Sequence, residues 1–330
     1  MINAVKSVSI LILCACLVSV AHAHHSHGNI DRNDIRRLTG VVSEYGWQMP
    51  HVFLKVMAPN QSGDLVEYSI ELLHPPAMVE RGWSADSFAE GDRITWEGAW
   101  DRDPNRYYTS LSWAEKADGT RLTSDRTEAE IVPSTDLTGL WARDRRVGFT
   151  YSPPAEWPYT AHAQTLVDAF HEDQNPQINC ENPGPPKSTL LPYPLRISRS
   201  DDAVRIDYEL RNQPRVIHLN PDVPAGAPSK TGHSIGHFEG DVLIVETSNF
   251  IADRWGSHTG VDSSDQKHLV ERFSLIEDGM VFRIEMTLTD PVFFTEPVEI
   301  DSYMRKLADR ELVDAICTSD SSRLFLEGGF

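Results

Sequence analysis

Positive charge is in short supply: 30 Lys and Arg stand against 49 Asp and Glu, a formal net charge of −19. Like charges repel over the whole surface, so phosphate backbones and anionic lipid are poor partners, and nucleic-acid binding is set aside. Cysteine is scarce, with four in 330 residues. The apolar run at Val8 to Val20 is too short and wrongly flanked for an integral membrane span. No H-E-x-x-H, Walker or dinucleotide fingerprint occurs, which leaves nucleotide chemistry without support, and Ser234 beside His233 is no triad signal because sequence neighbours point apart on a strand. What the chain does have is 40% hydrophobic residues and eight Trp, enough for real cores, and a length suited to two domains.

The apolar run reads as part of a signal peptide over 1–23. Lys6 supplies the positive start and Ala21-His22-Ala23 the small-x-small cleavage site, with cleavage after Ala23. A lipoprotein is the alternative, because Leu13-Cys14-Ala15-Cys16 loosely resembles a lipobox, but the apolar run continues past Cys16. The expected localisation is periplasmic or secreted. Cys14 and Cys16 leave with the leader, and in an oxidising compartment the remaining pair, Cys180 and Cys317, predicts one disulfide; two buried free thiols are the rival. The mature chain would open on His24-His25-Ser26-His27, a tract suited to copper or another late transition metal, with His51 as a candidate third ligand alongside His24 and His25. The bland reading is a solvated tail over 24–36.

Residues 37–122 read as a compact β domain. Leu38–Tyr45, Val52–Met57, Leu65–Leu72, Arg93–Trp100 and Tyr107–Glu115 are strand-like, with a short helix over Pro75–Arg81. Five strands with a helix between the third and fourth is the order of an OB-like barrel. Its aromatics, Trp47, Trp96, Trp100, Tyr107, Tyr108 and Trp113, are expected mostly in the core, one or two flooring a groove. A polar linker follows over 123–136. Residues 137–330 read as a larger antiparallel β-barrel, a lipocalin-like meander with one or two short helices: Tyr159–His171 and a closing Arg310–Cys317. Gln174–Pro194 is a Pro-rich loop, too Pro-broken for ladder pairing.

Candidate chemistry gathers around Lys230–Phe250, where His233, Ser234, His237, Glu239 and Asp241 precede the apolar strand Val242–Val245. On the strand from His268, Glu271 shares a face with Leu269, Phe273 and Leu275, so a barrel interior would desolvate it and suit it to proton transfer. Arg283, Glu285 and Thr287 form a polar stripe opposite Phe282, Ile284 and Met286, lining either a cavity or the solvated face. The expected proton-transfer groups are Glu271, His233 and Asp241; the expected ligand contacts are Arg215, Ser234, Glu239, Arg272 and Glu285.

Several segments together resemble an uncharacterised family of exported bacterial proteins. They are His24-His25-Ser26, Gly40-Val41-Val42, Trp47 and Pro50-His51 at the front, and the Gly232-to-Thr247 run further on. Glu271-Arg272-Phe273, Asp290-Pro291, Thr295-Glu296-Pro297 and Cys317 complete the match. The chain departs from that pattern at His237 and Phe238, where Arg and Trp are expected. The resemblance implies the domain plan and export, and no activity. The leading expectation is binding, or cofactor-free conversion of the hydratase, lyase or isomerase type, of a small apolar molecule in the second barrel. The rivals are copper or other metal binding at the terminal histidines, and a structural envelope interaction protein.

Overall fold

The computed structural model describes residues 30–124, 133–144, 152–209, 214–313 and 316–319. The signal segment, His24, His25 and most of the expected linker lie outside those residues. The fold is mainly β and contains two closed barrels.

The first barrel uses β1 (Ile30–Gly46), β2 (Phe53–Pro59), β3 (Leu65–Glu71), β4 (Arg93–Asp101) and β5 (Tyr108–Thr109), with α1 (Pro75–Val79) between β3 and β4. The ring runs β1-β2-β3-β5-β4 and closes through β1–β4, with β3 and β5 parallel. This is the OB-like order. Proline at the first helical position and the His74 side chain, which accepts from Ala77 N at 3.2 Å, start α1 and aim Met78 into the barrel. There it packs with Leu54, Val56, Ile70, Ile94 and Trp96, each buried apolar side chain contributing about 1.5–3 kcal/mol.

Two boundaries differ from expectation. β1 opens at Ile30, so residues 30–36, expected in a tail, pair with β4 from Ile30↔Asp101 onward. Their polar side chains hide a strand that is held by backbone pairing. The expected fifth strand is divided into β5 and β6 (Trp113–Lys116), which continues into β7 (Arg121–Thr123). At the division Gly98 lies so close that an added Cβ would sit 1.9 Å from Ser110 O, an approach only glycine allows.

The second barrel is a closed nine-stranded ring. In chain order it uses β8 (Gly139–Arg143), β9 (Leu195–Arg199), β10 (Ala203–Tyr208), β11 (Arg215–His218), β12 (His233–Glu239) and β13 (Val242–Ser248). A separate hairpin, β14 (Asp253–His258) and β15 (Val261–Ser263), precedes β16 (His268–Ile276), β17 (Val281–Thr289) and β18 (Val298–Lys306), which closes on β8. Each strand neighbours the next of the ring, as in a meander. An odd number of strands cannot alternate all the way round, and β11–β12 is the parallel pair that resolves this. Gly240, at φ +62°, takes the first position of the two-residue β12–β13 turn. Alternation then sends Leu243 and Val245, Leu269 and Phe273, and Phe282, Ile284, Met286 and Leu288 inward around Trp141.

Among the described residues there are three short α-helices: α1, α2 (Ala161–Asp168) and α3 (Lys187–Leu190). The last lies in the expected Pro-rich loop and is buried. The expected closing helix over Arg310–Cys317 does not form in its described residues. Glu209 takes that segment instead, with Arg310 Nη1 at 2.5 Å, Arg310 Nη2 at 3.1 Å and Val313 N at 2.6 Å. Cys180 and Cys317 are disulfide-bonded with Cα atoms 5.8 Å apart, and Cys317 also bridges to Met49 of the first barrel.

Candidate functional site

The expected site residues divide between the barrel interior, its outer wall and its turns. Three of them, Arg215, Ser234 and Glu271, meet inside, together with Thr247. Arg215 Nη1 donates to Glu271 Oε1 at 3.0 Å and Nη2 to Oε2, while Nε reaches Ser234 Oγ at 3.1 Å and Nη2 reaches Thr247 Oγ1 at 2.7 Å. Ser234 and Thr247 hydroxyls lie 2.9 Å apart. Because β11, β12, β13 and β16 are neighbours, each contributes one inward side chain to this rung. Thr247 was not expected from sequence, although it shares the inward face of Leu243 and Val245.

Glu271 is fully buried, and both of its oxygens are taken by Arg215. Burial alone would push the Arg215 guanidinium down, but Glu271 outweighs it and the pKa is raised. Proton transfer by Glu271 would first require separating a dry ion pair. Sequence reasoning placed this carboxylate inside correctly, yet could not see the guanidinium that occupies it.

The other expected contacts point away. His237 and Glu239 stand on the outer wall with Nε2 and Oε1 3.5 Å apart, and Arg272 reaches Glu239 at 3.7 Å. Glu285 is also outside, beside Arg283 at 3.2 Å, because Phe282, Ile284 and Met286 take the inward positions of β17. The polar stripe of β17 is therefore the wetted one. His233 faces outward, its Nε2 3.1 Å from Val223 O and its ring 5.4 Å from that of His218. Asp241 sits in the β12–β13 turn, four residues beyond the level where Val245 pairs with Glu271, about 13 Å along the strand. The three expected proton-transfer groups do not converge.

Asp241 instead borders a cleft at the turn end of the barrel, with a volume of about 340 Å³. Leu137, Ile197, Val204, Phe238, Val242 and Leu275 give it apolar walls; Asp136, Arg199 and Asp241 stand among them. The Arg199 guanidinium lies over the Phe238 ring at 4.0 Å, a cation–π contact that holds the cation at the rim. Thr138 donates to Asp136 and keeps its carboxyl below the usual range despite burial, with Lys306 and Arg199 adding to the effect.

On the first barrel, Trp100 and Tyr107 line a polar cleft of about 520 Å³. Its charges are largely spent on one another: Arg36 on Asp34 and over Trp100 at 5.0 Å, Arg106 on Asp101 at 3.4 Å. His51 is engaged through Nδ1, 3.2 Å from Glu71 Oε1 and 3.1 Å from Leu72 O. Among the described residues no three His, Cys, Asp or Glu side chains converge as a metal-ligand set, and no helix is long and apolar enough to cross a membrane.

The opposite end of the second barrel holds groups that sequence reasoning missed. Lys187 on α3 and Lys267 before β16 are each 2% exposed. Burial pushes Lys187 down to about 7 and Lys267 to about 8, in both cases against nearby carboxylates. Nothing in a Pro-rich stretch marks a lysine as buried.

No curated protein matches the chain. Residues 12–110, which take in most of the first barrel, match the model of a family described as a family of unknown function (DUF6152).

Proposed function

We propose that this is an exported protein that binds a small, largely apolar molecule with an anionic or polar group in the turn-end cleft of its second barrel. The observation that carries the reading is the pairing of an apolar wall with one rim cation: Phe238, Leu275 and Val204 beside Arg199, in a space of about 340 Å³. Ligand sites are commonly concave, mostly apolar and fitted with few polar groups that fix orientation. Asp241 is the only expected proton-transfer group on this cleft, so binding carries the proposal and conversion would have to run through that carboxylate. The export part is supported by the leader-like residues 1–23 together with the bridged Cys180 and Cys317.

The test uses an apolar fluorescent anion, anilinonaphthalene sulfonate, on the folded mature chain. Wild type should give saturable enhanced fluorescence. Leu275→Trp, at a half-buried position, should fill the cleft and abolish it, and Arg199→Ala should weaken it, both with unchanged melting. Equal fluorescence in all three proteins would remove the cleft as the site.

A further inference from the structure

Two buried lysines at the capped end of the second barrel differ in what surrounds them. Lys267 Nζ donates to Pro185 O at 3.1 Å and Gly256 O at 3.4 Å, and lies 4.2 Å from the centre of the Phe250 ring. Its hydrogen-bonding capacity is used, and it ties the Pro-rich segment to β14. Lys187 is as buried, and the contact its Nζ makes is of another kind. Its neighbour is the Trp255 ring, 5.0 Å from Nζ. Trp255 is held there at φ +55°, a left-handed conformation unfavourable for a bulky residue, with its N–H donating to Asp262 at 2.9 Å and its ring 5.3 Å from Phe170.

On the same elements are three buried hydroxyls, Ser188, Ser257 and Ser263, whose Oγ atoms have no hydrogen-bond partner. Native structures rarely leave such groups unused, and each calls for an explanation such as a bound water or a catalytic role. A lysine whose ammonium form is disfavoured by burial presents a free electron pair near neutral pH, the condition for attack on a carbonyl.

We propose that Lys187 is a reactive amine that forms a reversible imine with a small aldehyde or ketone, with the hydroxyls of Ser188, Ser257 and Ser263 serving its oxygen. The amine electron pair adds to the carbonyl carbon, and the ammonium proton passes to the carbonyl oxygen, giving a carbinolamine. Loss of that oxygen as water forms the carbon–nitrogen double bond, and water returning to the imine carbon reverses both steps. No oxidant or reductant is needed. The site is at the other end of the barrel from the proposed binding cleft and stands or falls separately.

The experiment treats the folded mature chain at pH 7 with acetaldehyde and cyanoborohydride, which traps an imine as an ethylamine, and follows each lysine by peptide mass spectrometry. An exposed lysine is about one part in a thousand or less neutral at that pH, against roughly half for Lys187. Lys187 should therefore be ethylated at least about tenfold faster than half-buried Lys55, whose ammonium is paired with Glu44 at 2.7 Å, and also faster than Lys267, whose amine is occupied. Lys187→Met should still melt cooperatively and should lose the fast-labelling site. Labelling of Lys187 no faster than that of Lys55, or fast labelling that persists in Lys187→Met, would overturn the proposal.

Discussion

The Arg215 guanidinium meets both carboxylate oxygens of Glu271 across two intervening strands, with Nη1 3.0 Å from Oε1 and both side chains almost completely buried. Ser234 and Thr247 fill the gap between them. Such a pair costs much of its attraction in desolvation, so its value lies in fixing which strands are neighbours. A barrel whose β11–β12 pairing is short and parallel has particular use for that.

Breaking the pair from one side should be expensive. Glu271→Leu or Arg215→Met alone leaves an uncompensated buried charge and should cost about 3–5 kcal/mol. The double variant should recover most of this. Urea denaturation of the three proteins provides the measurement, and additive losses in the double variant would contradict the coupling.

Stability should rise with pH between about 7 and 10. Lys187 and Lys267 have folded pKa values of about 7 and about 8, depressed by burial, while the unfolded chain keeps the ordinary value. In that window the unfolded state binds more protons, so raising pH favours the fold, by at most about 1.4 kcal/mol per unit for each group. Above about 10 the sign reverses: burial raises Tyr45, Tyr108 and Tyr159, and the unfolded state gains by ionising them first. Urea midpoints across this range should climb and then turn, with a shallower climb in Lys187→Met.

Acidification should destabilise through His258. Burial pushes its imidazole down to about 4, with the Lys187 charge adding to the effect. Between the ordinary value and about 4 the unfolded chain takes up a proton that the folded chain refuses, so stability falls as pH drops through that window. His258→Asn should flatten the fall, read from melting temperatures between pH 7 and 4.

The disulfide should matter to the second barrel. It closes a separation of 137 residues, and its removal in Cys180→Ser/Cys317→Ser should lower stability by about 2–5 kcal/mol, as should reduction of the native protein. Unchanged denaturation under reducing and non-reducing conditions would contradict this.

Gly98→Ala should loosen the first barrel, because the added methyl group meets the Ser110 backbone rather than a movable side chain. Overpacking of this kind costs about 1–3 kcal/mol or more. Limited proteolysis should then cut the first barrel preferentially.

Much of the architecture could be read along the chain. The β16–β17 turn falls on Glu277-Asp278-Gly279, residues whose composition is itself a turn signal, and all three take positive φ there. Alternation likewise placed Glu271 inward with Leu269 and Phe273. The opening of β1 was missed because Asp31, Arg32 and Asp34 carry no apolar signal, and pairing with β4 alone makes that segment a strand. The site was less legible. Arg272, Glu239 and Glu285 are expected as ligand contacts from the polar stretches that hold them, and closure of the barrel puts them on its outer surface.

By itself the sequence determined the two-barrel plan, the inward face of most strands and the cysteines available for bridging, because turn residues and period-two patterning are local. Only the tertiary structure decided that Arg215 occupies Glu271, that Asp241 belongs to a separate cleft, and that Lys187 is dry. Each depends on strands and loops far apart in the chain meeting in one ring, and burial of a charge is set by what packs over it.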